Sequence, residues 1–467
     1  MAYYSAQAPR KCLLYSLLFL LWQLVSAQNR INNLPGFEGP LPFTLETGYI
    51  EVDEEKRVEL FYYFIESERN PEEDPLLLWL TGGPGCTGFS ALVFEIGPLS
   101  FDLQKYEGGL PPLYYRPTSW TKVSNVIFID SPVGTGFSYS HTLEGYQTSD
   151  TKTVYRLLKF LQKWLDEHPK FKTNSLYISG DSYGGKIIPV LAQEIAIAKE
   201  SHGAALNFKG YLAGNPVTDQ NFELNYRVPF LHGMALISDE LFESTKKSCS
   251  GEYANPTNSH CAKYLDVVDE VTKDINWENI LEPYCKTDDS LSTGDIHSRT
   301  IAKGQYYEEV SLLSSGLPSD CRASAYVLPG MWANNDTVRD ALGIRKGTVS
   351  FWKRCRRHEL PYTKDIQSTV PYHFNVTNKG YAALIYSGDH DNFVTFLSTQ
   401  AWIRSLNFSI VDDWRPWYVG GQVAGFTRRY SNNLTFATVK GAGHTAPEYK
   451  PTECLAMVAR WLSGAPL

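Results

Sequence analysis

The sequence predicts an α/β fold, a mostly parallel central sheet flanked by helices with an insertion (cap) domain, and three observations carry that prediction. Short runs that are apolar throughout, among them Leu76–Leu80, Val126–Ile129 and Ala382–Tyr386, have the length and composition of strands buried on both faces. They alternate with longer stretches whose apolar residues recur at helical spacing, Thr151–Glu167 and Lys186–Lys199. Between about Val217 and Pro329 the alternation fades, as it does where an insertion sits over a core.

The 467 residues, 43% of them hydrophobic, are enough for one elaborated α/β domain or two domains. A formal net charge of -8 and the lack of a long basic run argue against nucleic-acid binding. At the N-terminus Arg10 and Lys11 precede an apolar run, Cys12–Val25, and Val25-Ser26-Ala27 supplies small residues for a cut after Ala27. Residues 1–27 therefore read as a signal peptide. The run is short for a membrane span of about 20 residues, so no membrane association is expected once the leader is removed.

Cysteine use fits the secretory route. Of eight cysteines, Cys12 leaves with the leader, and the odd remainder implies at least one unpaired thiol in a monomer. Cys249 and Cys261 are close enough to close a local loop, Cys285 and Cys321 bracket a polar stretch, and Cys454, in an expected C-terminal helix, is the candidate free thiol. No C-x-x-C pair is present to suggest zinc, and neither metal nor cofactor is expected. Sequons at Asn335, Asn375, Asn407 and Asn433 behind a leader predict a glycoprotein, whereas Asn255 is excluded by the proline that follows it.

Taken in order, Gly48–Glu66 alternates apolar and polar residues as an antiparallel hairpin does. The strand Leu76–Leu80 runs into Thr81-Gly82-Gly83-Pro84-Gly85-Cys86, a turn whose backbone N–H groups can approach a substrate oxygen closely. Val126–Asp130 is a second buried strand. Leu176–Ser179 then enters Gly180-Asp181-Ser182-Tyr183-Gly184, and a helix leaves it. A strand, a sharp Gly-flanked turn and a helix are what lift a serine Oγ out of a sheet, so Ser182 is the candidate nucleophile. Gly83 and Tyr183 are the candidate oxyanion donors, through their N–H groups.

The segment 28–216 thus reads as the first part of the core and 217–329 as the insertion. Within the insertion, 286–320 is a polar, aperiodic stretch suited to excision, which would leave a two-chain form. From 330 to 467 the core resumes. Ala382–Tyr386 ends in Ser387-Gly388-Asp389-His390-Asp391, and the last strand, Leu434–Val439, ends in Lys440-Gly441-Ala442-Gly443-His444. The chain order serine, acid, histidine is that of an α/β-hydrolase. His444 is the expected base and Asp391 the expected acid, with Asp389 as the competing carboxylate.

These segments resemble the serine carboxypeptidase family, and within it the plant serine carboxypeptidase-like acyltransferases. The resemblance spans the mature chain and rests on Trp79–Cys86, Glu95-Ile96-Gly97-Pro98-Leu99, Asp130–Tyr139, Gly180–Gly185, Gly388–Asp391 and Gly441–His444. It implies disulfides Cys86 to Cys355, Cys249 to Cys261 and Cys285 to Cys321, frequent excision of the linker, and a vacuolar location, with an extracellular one as the alternative. Peptidases of this family grip a substrate carboxylate with Asn where this chain has Thr81 and Glu where it has Asp181, beside Gly82 and a further Glu matching Glu95. Thr81 and Asp181 are similar to the acyltransferase branch. That implies a 1-O-glucose ester as acyl donor, commonly aryl (hydroxycinnamoyl or benzoyl), an alcohol as acceptor and an acyl-Ser182 intermediate. A carboxypeptidase, or a non-catalytic binding protein on the same fold, are the alternatives. After Asp391 the chain departs from the usual pattern, with Asn392 where methionine is common and Thr395 where proline is common.

Overall fold

The structure is a computed structural model that describes residues 29–202, 206–285 and 321–467. The leader 1–27 and the polar stretch 286–320 lie outside the described residues. A 12-stranded sheet organises the rest: β1 (Asn29–Ile31), β2 (Leu45–Asp53), β3 (Val58–Ile65), β4 (Leu76–Leu80), β5 (Asn125–Ile129), β6 (Tyr139–Ser140), β7 (Leu176–Asp181), β8 (Phe208–Gly214), β9 (Ala382–Gly388), β10 (Ile410–Val419), β11 (Gln422–Tyr430) and β12 (Leu434–Val439). Its order is β1-β2-β3-β5-β4-β7-β8-β9-β12-β11-β10, with β6 on β3.

The strands from β5 through β12 in this order are parallel, and both flanks are antiparallel. The expectation of a mostly parallel sheet therefore holds for the middle alone. The missed flank is the β10–β11 hairpin, where Asp412, Asp413 and Pro416 interrupt the apolar pattern and the register slips three times. Proline and charge are tolerated there because β10 is an edge strand.

Period-two alternation distributes the central strands between two hydrophobic layers. Leu76, Leu78 and Leu80 of β4 face one layer, with Ile127 and Ile129 of β5. Leu77 and Trp79 face the other, with Val126 and Phe128. The first layer is roofed by α1 (Asp150–Glu167) and α2 (Gly184–His202). In α1, Val154, Leu157, Leu161, Trp164 and Leu165 form one apolar stripe, and the Ser149 side chain caps the N-terminus by accepting from the Lys152 N–H.

The insertion carries α3 (Gln220–Gly233), α4 (Asp239–Cys249) and α5 (Ser259–Thr272), which close a small core of their own around Val228, Leu231 and Val268, with the Cys249–Cys261 disulfide inside it. The expected return to the core between 329 and 330 falls inside the helix Leu328–Ala333. Val327, Leu328, Trp332 and Trp352 already belong to the second layer of the main core, so the return lies nearer Cys321. The chain continues through α6 (Val370–Asn378) and α7 (Phe396–Ser405) and ends in α8 (Pro451–Leu462), which buries Cys454 as a free thiol.

Among the described residues no helix is long and apolar enough to cross a membrane. Asn375, Asn407 and Asn433 are exposed, and Asn335 is half-buried, its side-chain oxygen accepting from the Thr337 N–H at 2.9 Å.

Candidate active site

Ser182 sits where β7 turns into α2, with φ of 52°. This left-handed conformation is costly for a residue with a Cβ and is held by its neighbours. The Ser182 N–H donates to Gly214 O at 3.0 Å, and its carbonyl accepts from Gly185 and Val217, both at 2.9 Å. A Cβ on Gly180 would lie 2.1 Å from Leu80 O, and one on Gly82 would lie 2.4 Å from the Ser182 Cβ. The glycines therefore let two parallel strand ends close around the serine.

Three residues from distant parts of the chain meet there. His444 Nε2 is 2.8 Å from Ser182 Oγ, and His444 Nδ1 is 2.8 Å from Asp391 Oδ2. Asp391 is fully buried, His444 nearly so, and Ser182 half-buried. This is the geometry in which an imidazole takes a hydroxyl proton while a carboxylate fixes its tautomer. Burial works against the imidazolium, but Asp391, by charge and hydrogen bond, outweighs it and raises the pKa of His444 above the ordinary value.

Asp389 is turned elsewhere: it accepts from the Gly441 N–H at 2.7 Å and pairs with His390 Nδ1. The choice of Asp391 over Asp389 is thus made by geometry, and Asp389 ties the acid's turn to the histidine's.

The Gly82–Cys86 turn lies against the serine, since a Cβ on Gly82 would also come within 2.8 Å of both Ser182 Oγ and Tyr183 N. The N–H groups of Gly83 and Tyr183 donate to no acceptor among the described residues. Two free donors beside a nucleophile can stabilise a developing oxyanion. The turn is stapled to the segment after Trp352 by the Cys86–Cys355 disulfide and by the bonds from Thr87 N–H to Arg354 O and from Arg356 N–H to Gly85 O, both 2.9 Å. The Cys285–Cys321 bond is formed as well.

Asp181 and Glu95 are neighbours behind the turn, whereas Thr81, at the end of β4, lines a small cavity with Ser131, Pro132, Tyr183 and Tyr362. Asp181 Oδ1 accepts from the Gly82 N–H at 3.2 Å, and Thr81 Oγ1 is buried with no partner. Glu95 closes a five-residue π-helical stretch, Ala91–Glu95, whose carbonyls at Val93, Phe94 and Glu95 are collected by the Arg116 guanidinium. Burial raises the pKa of both carboxyls, and the charge of Asp181 and a hydrogen bond to it raise that of Glu95 further. Both carboxyls are therefore biased toward the protonated form, Glu95 the more strongly.

Sequence reasoning missed two supports. Asn215, in the left-handed region at φ of 40°, donates to Asp391 Oδ2 at 2.8 Å and accepts from the Gly388 N–H at 3.1 Å. An Asn tolerant of that conformation, between a buried strand and Pro216, was the available signal. The other support is the tail of the insertion. His444 N–H donates to Glu278 O at 2.6 Å, Asn392 N–H to Trp277 O at 3.0 Å, and Ile280 N–H to His390 O at 3.1 Å. These bonds join 277–280 to the loops that carry Asp391 and His444, and no local pattern announces them. Among the described residues no group of three or more His, Cys, Asp or Glu is placed to hold a metal.

A family model described as serine carboxypeptidase matches residues 35–464. Serine carboxypeptidase-like 19 of Arabidopsis thaliana is 50% identical over 456 residues, covering 96% of this chain and 97% of the relative. Serine carboxypeptidase-like 2 of the same plant is 49% identical over 468 residues, covering 100% and 99%. Among solved structures, the prohormone-processing carboxypeptidase Kex1 of Saccharomyces cerevisiae superposes with a TM-score of 0.70 at 20% identity, covering 93% of this chain and 94% of that one, a likeness of fold.

Proposed function

We propose, from the premise that this chain belongs to the serine carboxypeptidase family, that it moves an acyl group from a 1-O-glucose ester to an acceptor alcohol. In the first half-reaction His444 Nε2 takes the Ser182 proton while Oγ attacks the ester carbonyl. The oxyanion is held by the Gly83 and Tyr183 N–H groups. Collapse expels the glucose oxygen, which receives the proton from His444 and leaves Ser182 acylated. In the second half-reaction the acceptor hydroxyl gives its proton to His444 and attacks the acyl carbon. The product ester departs as the proton returns to Ser182.

The observation that carries the transferase reading is the state of the carboxylate clamp. Asp181 is drawn back onto the Gly82 N–H, and Thr81 offers one hydroxyl where the peptidases of the family have an amide. Neither side chain presents what a peptide's C-terminal carboxylate needs, a long protonated carboxyl beside an amide donor. Hydrolysis of peptides is the second reading, and the retained Glu95, whose pKa burial and the neighbouring Asp181 raise, favours it. Three disulfides and three exposed sequons support a glycosylated protein of the secretory route, with the vacuole as its destination.

The deciding assay offers aryl glucose esters, with and without alcohols, beside a blocked dipeptide. Acceptor-dependent ester formation that disappears in Ser182→Ala is the expected result. Release of the dipeptide's C-terminal residue without ester formation would overturn it.

A further inference from the structure

The backbone that orients Asp391 and His444 is itself held from the insertion. Trp277 O accepts from the Asn392 N–H and Glu278 O from the His444 N–H, so two consecutive carbonyls serve the two loops, and a shift of this segment moves both. Its local shape comes from Asn276, whose Oδ1 accepts from the N–H groups of Glu278 and Asn279 at 3.0 and 3.3 Å. That turn fixes how the segment bends and leaves open where it sits. The fit against the histidine loop is tight, since a Cβ on Gly443 would lie 2.2 Å from Glu278 O.

One guanidinium sets the position at this end. Arg227 of α3 lies over the Trp277 ring, 3.7 Å from its centroid, and pairs with Asp269 of α5 at 3.1 Å. It thereby ties the two helices that supply Val228, Leu231 and Val268 to the insertion's own core to the residue that bonds Asn392. The two contacts are unequal. The Asp269 side chain is 60% exposed, so water screens the ion pair. The Arg227 side chain is 17% exposed, so its contact with the ring is largely removed from water, where a cation over an aromatic face is held most strongly. On its other side α3 packs on α7, the helix that follows the Asp391 turn, with the Phe230 and Phe396 rings 6.0 Å apart.

We propose that Arg227 is a positioning residue for Asp391 and His444: stacked on Trp277, it holds the carbonyls of 277 and 278 where the two loops align with Ser182, so that the packing of the insertion sets the rate of chemistry at the serine. The inference rests on Ser182, His444 and Asp391 doing that chemistry, and it is independent of whether the acyl group passes to an alcohol or to water. A displacement of about 1 Å from the reacting geometry costs on the order of a hundredfold in rate. The charged groups that act on the His444 imidazole are Asp391, Glu278 and Asp181. Glu278 travels with the segment, so releasing Trp277 also weakens the field that favours the imidazolium.

The test measures kcat, KM and the pH profile of p-nitrophenyl acetate hydrolysis by the purified glycoprotein, with far-UV circular dichroism as the check on folding. Arg227→Ala should lower kcat at least about tenfold with little change in KM, and should move the inflection of kcat/KM to lower pH. Arg227→Lys, which keeps a cation over the ring, should recover part of the rate. Asp269→Asn removes the ion pair, leaves the stack and should change kcat by less than about twofold. Arg227→Ala combined with Trp277→Ala should cost no more than the larger single loss, because both remove one contact. If Arg227→Ala does not fold, Trp277→Ala, at a residue 37% exposed, carries the same comparison.

A lower melting temperature with unchanged kcat and inflection would make Arg227 purely structural and overturn the proposal. A rise in KM alone would make the pair a substrate contact and overturn it, as would additive losses or an Asp269→Asn loss equal to that of Arg227→Ala. Absence of Ser182-dependent turnover in the unaltered protein would overturn the reading of Ser182 and this inference together, whereas normal turnover in every variant would overturn this inference alone.

Discussion

Asp181 Oδ1 accepts a 3.2 Å hydrogen bond from the Gly82 N–H, joining the residue before Ser182 to the turn that carries Gly83. The shorter carboxyl thus braces the turn, and Thr81 Oγ1, on the residue before Gly82, is buried without a partner. Lengthening Asp181 by one methylene releases that brace and extends the carboxyl toward substrate.

The first prediction follows from this pair. Thr81→Asn combined with Asp181→Glu should raise peptide hydrolysis relative to ester transfer by at least roughly tenfold, because a buried amide and a longer carboxyl restore hydrogen bonds that reject substrates lacking a carboxylate. Steady-state kcat/KM for a blocked dipeptide and for an aryl glucose ester, measured on both proteins, gives the ratio. An unchanged ratio would remove these two residues from the account of specificity.

The second prediction separates two neighbouring acids. Asp391→Asn should lower kcat by about 10³- to 10⁴-fold, because the amide cannot stabilise the imidazolium and favours the wrong tautomer. Asp389→Asn should cost far less, since its carboxylate reaches Gly441 and His390 and not His444. Far-UV circular dichroism on both variants checks that the loss is not unfolding. Comparable losses in the two would contradict the geometry.

What could be read from the sequence and what could not divides along a physical line. Ser182, Asp391 and His444 were legible because each follows a short β-prone run that ends in a Gly-containing turn, a local pattern with a local cause. The parallel middle of the sheet was legible for the same reason, whereas β10 was not, its apolar pattern being broken by Asp412, Asp413 and Pro416. Asn215 and the carbonyl of Glu278 act at a distance of more than a hundred residues from their partners Asp391 and His444. Such contacts leave no periodicity, and a backbone carbonyl leaves no residue preference at all.

The third prediction concerns pH and rate. His444 must be neutral to accept the Ser182 proton, and its pKa is raised: burial opposes the charge, but the Asp391 carboxylate prevails. The rate kcat/KM should therefore rise with pH through an inflection above the ordinary histidine value of about 6.5. Asp391→Asn should move that inflection downward as well as lower the plateau. A pH profile of ester cleavage on both proteins reads the shift, and an inflection that stays in place in the variant would mean that another group titrates.

The fourth prediction concerns pH and stability. Asp130 is fully buried, and burial raises its pKa to about 7 despite hydrogen bonds from Thr87, Phe137 and Gly88 that favour the ionised form. The unfolded chain would titrate near 3.9. Between those values the folded state binds the extra proton, so the stability from this group is complete below about pH 4 and is lost as pH rises through about 7. Glu95, Asp181, Glu223 and Glu448 are raised in the same direction, each chiefly by burial. The protein should melt at a higher temperature at pH 5 than at pH 8. Asp130→Asn has no such proton to lose and should show a flatter dependence, though the whole curve should fall because the amide offers one acceptor oxygen where the carboxyl uses two. Differential scanning calorimetry of the two proteins across that range compares the slopes, and identical slopes would show that Asp130 is ionised throughout.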